Sequence, residues 1–179
     1  MLVVPYKQRE HDAWVEDKIG CMNLGDIQGA LREQGVDGWL FYDHHHRDPL
    51  AYRILGLGED LLVTRRWFYF VPAEGEPRKL VHRIEAGRLD GLPGTKAVYS
   101  SWQELNARLV EMVAGVTRIA MQYSPRNAIM YVSLVDAGTV EVLRGMGADV
   151  TMRRYPGRQH TISGEEVDFG KRLVDGVFG

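Results

Sequence analysis

The feature that most limits what this chain can become is the run VDGWLFYD at residues 36–43. Between Gly38 and Asp43 stand Trp39, Leu40, Phe41 and Tyr42 with no polar residue among them. A strand with one wet face alternates apolar and polar side chains; this run does not alternate, so both of its faces must be dry. It reads as an interior strand of a parallel or mixed sheet, with Trp39, Leu40 and Phe41 buried and helices covering both sides.

The flanking sequence supplies those helices. LGDIQGALREQG opens with Asp26 as the expected N-cap, places Ile27, Ala30 and Leu31 on one face and stops at Gly35. DPLAYRILGLG reads as a helix with Pro49 at its first position. Residues 64–71 and 78–83 flank PAEGEP, a turn with proline at both ends, and predict a hairpin. KAVYS is a further strand. In SWQELNARLVEMVAG, Ser101 caps, Glu104 completes a capping box, and Leu105, Leu109, Met112 and Val113 share a face. RIAMQY predicts a strand, Ser124-Pro125 and Asp136 each open a helix, Gly147 ends the second, and ADVTM is a last strand. This alternation predicts an α/β fold: a single three-layer domain with a mixed β-sheet flanked by helices. The expected boundaries are an N-terminal helical extension at 1–23, the domain at 24–152, and a tail at 153–179 where the apolar pattern fails. A chain of 179 residues is long enough for one such core.

Composition narrows the function classes. The net charge of −2 gives no electrostatic reason to expect a nucleic-acid or membrane partner. The densest basic pairs, Arg65–Arg66 and Arg153–Arg154, are too small to track a phosphate backbone. No apolar run has the length of a membrane span. The N-terminus reads as no signal peptide, and the single cysteine, Cys21, fits a reducing compartment, so the expected localisation is cytoplasmic.

The chemical candidates are few. Strand patterning puts Trp39, Trp67, Phe68 and Tyr69 in the core with one exposed face, and His82, Arg83 and Glu85 in a surface ion-pair group. No G-x-S-x-G, P-loop, G-x-G-x-x-G or C-x-x-C motif is present. The conspicuous stretch is DHHHRD at 43–48, where the apolar strand ends. Consecutive residues point in different directions, so His44, His45 and His46 do not form a one-ion site at helix or strand spacing. Three readings stand: a metal loop completed by Asp43 and Asp48, a solvated polar loop, or a functional loop at a strand end, where α/β folds meet ligands. The residues alone assign no catalytic group and no metal ligand, and they place the whole loop Asp43–Asp48 in solvent.

Three segments, GWLFYDHHHRDPLAYRILGL, TRRWFYFVPAEGEPRKLVHRIE and MQYSPRNAIMYVSLVDAGTVEVLRGMGADV, resemble the amino-terminal domain of Xaa-Pro peptidases of the creatinase/prolidase/aminopeptidase P group (peptidase M24). The likeness covers residues 24–151, and YSPRNAI-YVS-VDAGTVE is its most specific part. Gln122 stands where the family often has glutamate and Met130 where it has proline. The resemblance implies a small α/β domain preceding a pita-bread catalytic domain, in which two divalent metals held by aspartate, histidine and glutamate ligands hydrolyse Xaa-Pro bonds. No such ligand set is expected here, because His160, Glu165, Glu166 and Asp168 are crowded into nine positions of a non-family tail. The chain is therefore expected to be non-catalytic and to hold no cofactor itself. Its implied partners are a second copy in a homodimer, through the tail or the helix around Trp14, and a separate catalytic domain. His44, His45, His46 and Arg47 are the expected substrate- or partner-facing loop. The alternative is an independent small binding or docking module that uses the same loop.

Overall fold

The computed structural model describes residues 23–58, 62–127, 130, 133–147 and 149–150. The elements in chain order are α1 (Leu24–Glu33), β1 (Gly38–Asp43), α2 (Pro49–Leu55), β2 (Trp67–Pro72), β3 (Arg78–His82), β4 (Thr95–Tyr99), α3 (Trp102–Met112), β5 (Arg118–Ala120), α4 (Ala137–Gly145) and β6 (Asp149–Val150). Short 3-10 turns occupy Arg83–Glu85 and Pro125–Asn127.

The strands form one six-stranded sheet in the order β4-β3-β2-β1-β5-β6. β2 pairs antiparallel with both β1 and β3, while β1–β5, β3–β4 and β5–β6 pair parallel. β2 therefore runs against the other five strands. β1 lies between β2 and β5, and every one of its residues is buried, as its unbroken apolar run requires.

Side-chain alternation divides the core between the two faces of the sheet. Leu40 and Tyr42 of β1, Phe68 and Phe70 of β2 and Leu80 of β3 pack beneath Leu105 and Leu109 of α3 and Val140 and Leu143 of α4. Trp39, Phe41, Trp67, Tyr69 and Val71 point the other way, against Ile27 and Leu31 of α1 and Tyr52, Ile54 and Leu55 of α2. The result is the expected three-layer α/β domain with a mixed sheet. Trp39 is buried as its run requires, and Trp67, Phe68 and Tyr69 have no exposed face either, where alternation along the strand suggested one.

Local details depart from expectation for identifiable reasons. α1 starts at Leu24, so Asn23 rather than Asp26 is its cap; the Asn23 side chain accepts from the Asp26 backbone N–H at 3.0 Å. Ser101 caps α3, and the Glu104 carboxylate reaches one residue further back than a standard capping box, accepting from Ser100 N–H at 2.7 Å. β5 ends at Ala120 instead of continuing to Tyr123. Tyr123 N–H turns back onto the Met121 carbonyl at 2.7 Å, and the Gln122 carbonyl accepts from Leu134 and Val135. Where a helix is expected from Ser124-Pro125, the residues described directly after Ser124 form the 3-10 turn Pro125–Asn127, in which Arg126 and Asn127 adopt left-handed φ of 56° and 55°. The hairpin arms are Trp67–Pro72 and Arg78–His82, with Phe68 opposite Leu80. Thr64–Arg66 are held by other partners. The expected extension at 1–23, with Cys21, and the tail at 153–179 lie outside the described residues, Asn23 excepted.

Candidate functional site

The histidine loop is built around one carboxylate. Asp43, the last residue of β1, is 1 % exposed, and its Oδ1 accepts from Arg47 N–H at 2.7 Å and Asp48 N–H at 3.1 Å. Its Oδ2 accepts from His46 N–H at 3.1 Å and from the Tyr52 hydroxyl at 2.8 Å. Three consecutive backbone N–H groups thus converge on one side chain, and the chain must curl to bring them there. The curl puts His45 and His46 in the left-handed region at φ 63° and 54°, a conformation that costs a non-glycine residue about 1–2 kcal/mol.

The expectation of a wholly solvent-exposed Asp43–Asp48 loop is therefore corrected at its ends. Asp43 and Asp48 are each 1 % exposed: one ties the loop, and the other caps α2 by accepting from Ala51 N–H at 2.9 Å. His46 is half-buried with its ring 5.1 Å from that of Tyr52. His45 and Arg47 are exposed, and His44 is half-buried with its ring 4.1 Å from His45. The sequence grouped His44, His45, His46 and Arg47 as one outward-facing set; the structure divides it, with His46 turned into the fold. The missed signal was Asp43 itself, which fixes the shape of the loop.

Electrostatics follow this geometry. Burial pushes the Asp48 carboxyl up to about 6; the Ala51 N–H opposes the rise and the Asp43 charge adds to it. Burial, then the bond to Asp43, pushes the Tyr52 hydroxyl up to about 12. His44 is shifted below its ordinary value, chiefly by burial and then by repulsion from His45 and from Arg47 and Arg66. Its neutral imidazole is thereby favoured at pH 7. Among the described residues no group of three His, Cys, Asp or Glu side chains is placed to hold a metal ion.

Beside the loop lies an open groove of ≈ 580 Å³ at the carboxyl ends of β1, β3 and β4. Tyr42, His82 and Tyr99 come from those strand ends, Ser101 and Trp102 from the start of α3, and Arg65 and Arg66 from the approach to β2. The Tyr99 hydroxyl donates to the Arg66 carbonyl at 2.7 Å, which fixes this approach. His82, Arg83 and Glu85 do not form the expected ion-pair group. His82 Nδ1 accepts from Ile84 N–H, and Glu85 accepts from Thr64 N–H at 2.8 Å, Thr64 Oγ1 at 2.6 Å and Arg65 N–H at 3.3 Å. Burial works against the Glu85 charge, but the bonds from Thr64 and Arg65 outweigh it and hold the carboxyl below its usual range.

This arrangement of mixed sheet and flanking helices is similar to that of creatinase/prolidase N-terminal domains. The creatinase/prolidase N-terminal domain of an X-Pro dipeptidase from Streptococcus pyogenes superposes with a TM-score of 0.51 at 16% identity, over 69% of this chain and 91% of that one. Recombinant prolidase from Thermococcus sibiricus gives a TM-score of 0.53 at 12% identity over 71% of this chain. The prolidase from Pyrococcus horikoshii OT3 gives 0.47 at 13% identity over 69% of this chain. The chain spans 33% and 29% of the lengths of those two prolidases. No family model matches the chain, and no curated protein matches it. At these identities the likeness to the S. pyogenes domain and the T. sibiricus prolidase shows the fold alone. Among the described residues no helix is long and apolar enough to cross a membrane.

Proposed function

We propose that this chain acts as the non-catalytic amino-terminal domain of a Xaa-Pro peptidase-like protein, serving oligomerisation and lining the active site of a partner. The hydrolysis belongs to a separate pita-bread domain with two divalent metals, and the working unit is a homodimer in the cytoplasm. The observation that carries the reading is the cinched loop at the end of β1. Its two most exposed members, His45 and Arg47, project from a backbone that Asp43 holds in one shape. A loop that donates side chains to another subunit's site must keep its shape before the partner arrives, because ordering it on binding costs affinity. The fold shared with the S. pyogenes domain supports the same reading.

Two-metal hydrolysis requires a carboxylate and histidine cluster that activates water and clamps the leaving group. The purified chain with Mn²⁺, Co²⁺ or Zn²⁺ is accordingly expected to leave Xaa-Pro dipeptides uncut, and to sediment as a dimer at micromolar concentration. Metal-dependent turnover that survives repurification, or sedimentation as monomer only, overturns the corresponding half of the proposal.

A further inference from the structure

The groove beside the histidine loop presents guanidinium donors that the described residues leave largely unused. Among the described residues three arginines line it, Arg47, Arg65 and Arg66, against a single carboxylate, Asp136. That carboxylate is already occupied: its Oδ1 accepts from Thr139 N–H at 2.9 Å, and its Oδ2 from Thr139 Oγ1 at 2.8 Å. The Tyr42 hydroxyl bonds to it as well. Two carboxylates that bond groove residues are consumed in the same way, Glu85 by Thr64 and Arg65 and Glu104 by Ser100 N–H.

The arginines are not. The guanidinia of Arg47 and Arg66 donate no hydrogen bond and form no ion pair among the described residues. Arg65 spends one nitrogen on Thr64. Each guanidinium carries five N–H donors in a planar fork that matches the two oxygens of a carboxylate or a phosphate. Arg66 lies close enough to influence Tyr42, His44, Tyr99 and Asp136, which places its charge among the groove walls. The position also suits a ligand, at the carboxyl ends of parallel strands. On one lip stands Trp102, 66 % exposed, a flat apolar plate beside the charges.

We propose that this groove is a binding site for a small oxyanion, a carboxylate or phosphate group, with Arg66 and Arg47 as its ligands. Trp102 stacks on any planar body attached to the anion. The site goes beyond the partner-lining role of the loop, since it needs neither a second subunit nor a catalytic domain.

The test uses the chain by itself. Inorganic phosphate and benzoate, a carboxylate on a flat ring, are titrated separately while the Trp102 indole N–H and backbone amide shifts are followed at low salt. Saturable binding of at least one is expected, weakened about tenfold or more in Arg66→Gln and falling as salt screens the site. Arg83→Gln, on the 3-10 turn outside the groove, is expected to bind as the wild type does. Saturation by phosphate alone assigns the site to phosphate, and by benzoate alone to carboxylates. Failure of both anions to saturate, or equal affinity in Arg66→Gln and the wild type, overturns the proposal. Amide shifts confined to the mutated residue show that the variant is folded.

Discussion

Replacing Asp43 with alanine removes the acceptor for four donors at once: the N–H groups of His46, Arg47 and Asp48, and the Tyr52 hydroxyl. Two of these bonds, to Asp48 N–H and to Tyr52, are buried, so water does not replace the lost acceptor there. A buried donor left unpaired costs about 1–3 kcal/mol, and the two partly exposed N–H groups cost less because water reaches them. Part of the loss is returned when His45 and His46 leave the left-handed region. The net expectation is a destabilisation of roughly 3–4 kcal/mol for Asp43→Ala. Asp43→Asn keeps one acceptor oxygen and should cost about half of that. Urea unfolding followed by tryptophan fluorescence and circular dichroism gives both numbers, and amide exchange at His46 and Arg47 should quicken in parallel. An Asp43→Ala midpoint equivalent to less than about 0.5 kcal/mol of change would refute the claim that this carboxylate shapes the loop.

Asp48, buried with its pKa raised to about 6, is disfavoured as an anion in the folded state, so its contribution to stability is full below the ordinary carboxylate value near 3.8 and declines as pH rises to about 6. Asp48→Asn, which can still cap α2, should remove that decline and be the more stable protein at pH 7 by about 2–3 kcal/mol, as paired urea melts at pH 4 and pH 7 will show. Gly38→Ala should cost about 1–3 kcal/mol in the same assay, because the added methyl collides with the Phe70 ring and crowds the Val71 carbonyl. His45→Gly should be neutral or stabilising by up to about 1 kcal/mol, since glycine adopts the left-handed backbone without strain.

Legibility in the sequence followed the range of each interaction. β1 announced itself because burial on both faces leaves no polar position in the run, and the Ser101 and Asp136 caps were readable because a cap acts within three residues. β5 was over-extended because Arg118–Ala120 continues into residues of equal strand propensity. What ends it is the acceptance of Leu134 and Val135 N–H by the Gln122 carbonyl, a contact made across twelve residues or more. At the site, the histidines stood out by their rarity, while the residue that organises them, Asp43, looked like an ordinary strand terminus. The residues that line the groove beside the loop were not legible for a related reason. Its arginines come from the loop after β1 and the approach to β2, and its Trp102 from α3. Only the reversed direction of β2 brings Arg65 and Arg66 to the same edge as the ends of β1, β3 and β4.

The central claim is that the exposed part of the histidine loop serves another subunit's active site. It is tested most directly by adding this chain to a separately produced two-metal Xaa-Pro catalytic domain and measuring kcat/KM for a Xaa-Pro dipeptide. The double variant His45→Ala/Arg47→Ala, which removes the two exposed members, is measured beside the wild type. His46 is left in place because its ring packs against Tyr52. The wild-type chain is expected to raise kcat/KM and the variant to lose about tenfold or more of that gain, while its unfolding free energy stays within about 0.5 kcal/mol. Equal activity with the wild type and the variant, or no effect of adding the chain at all, would contradict the claim.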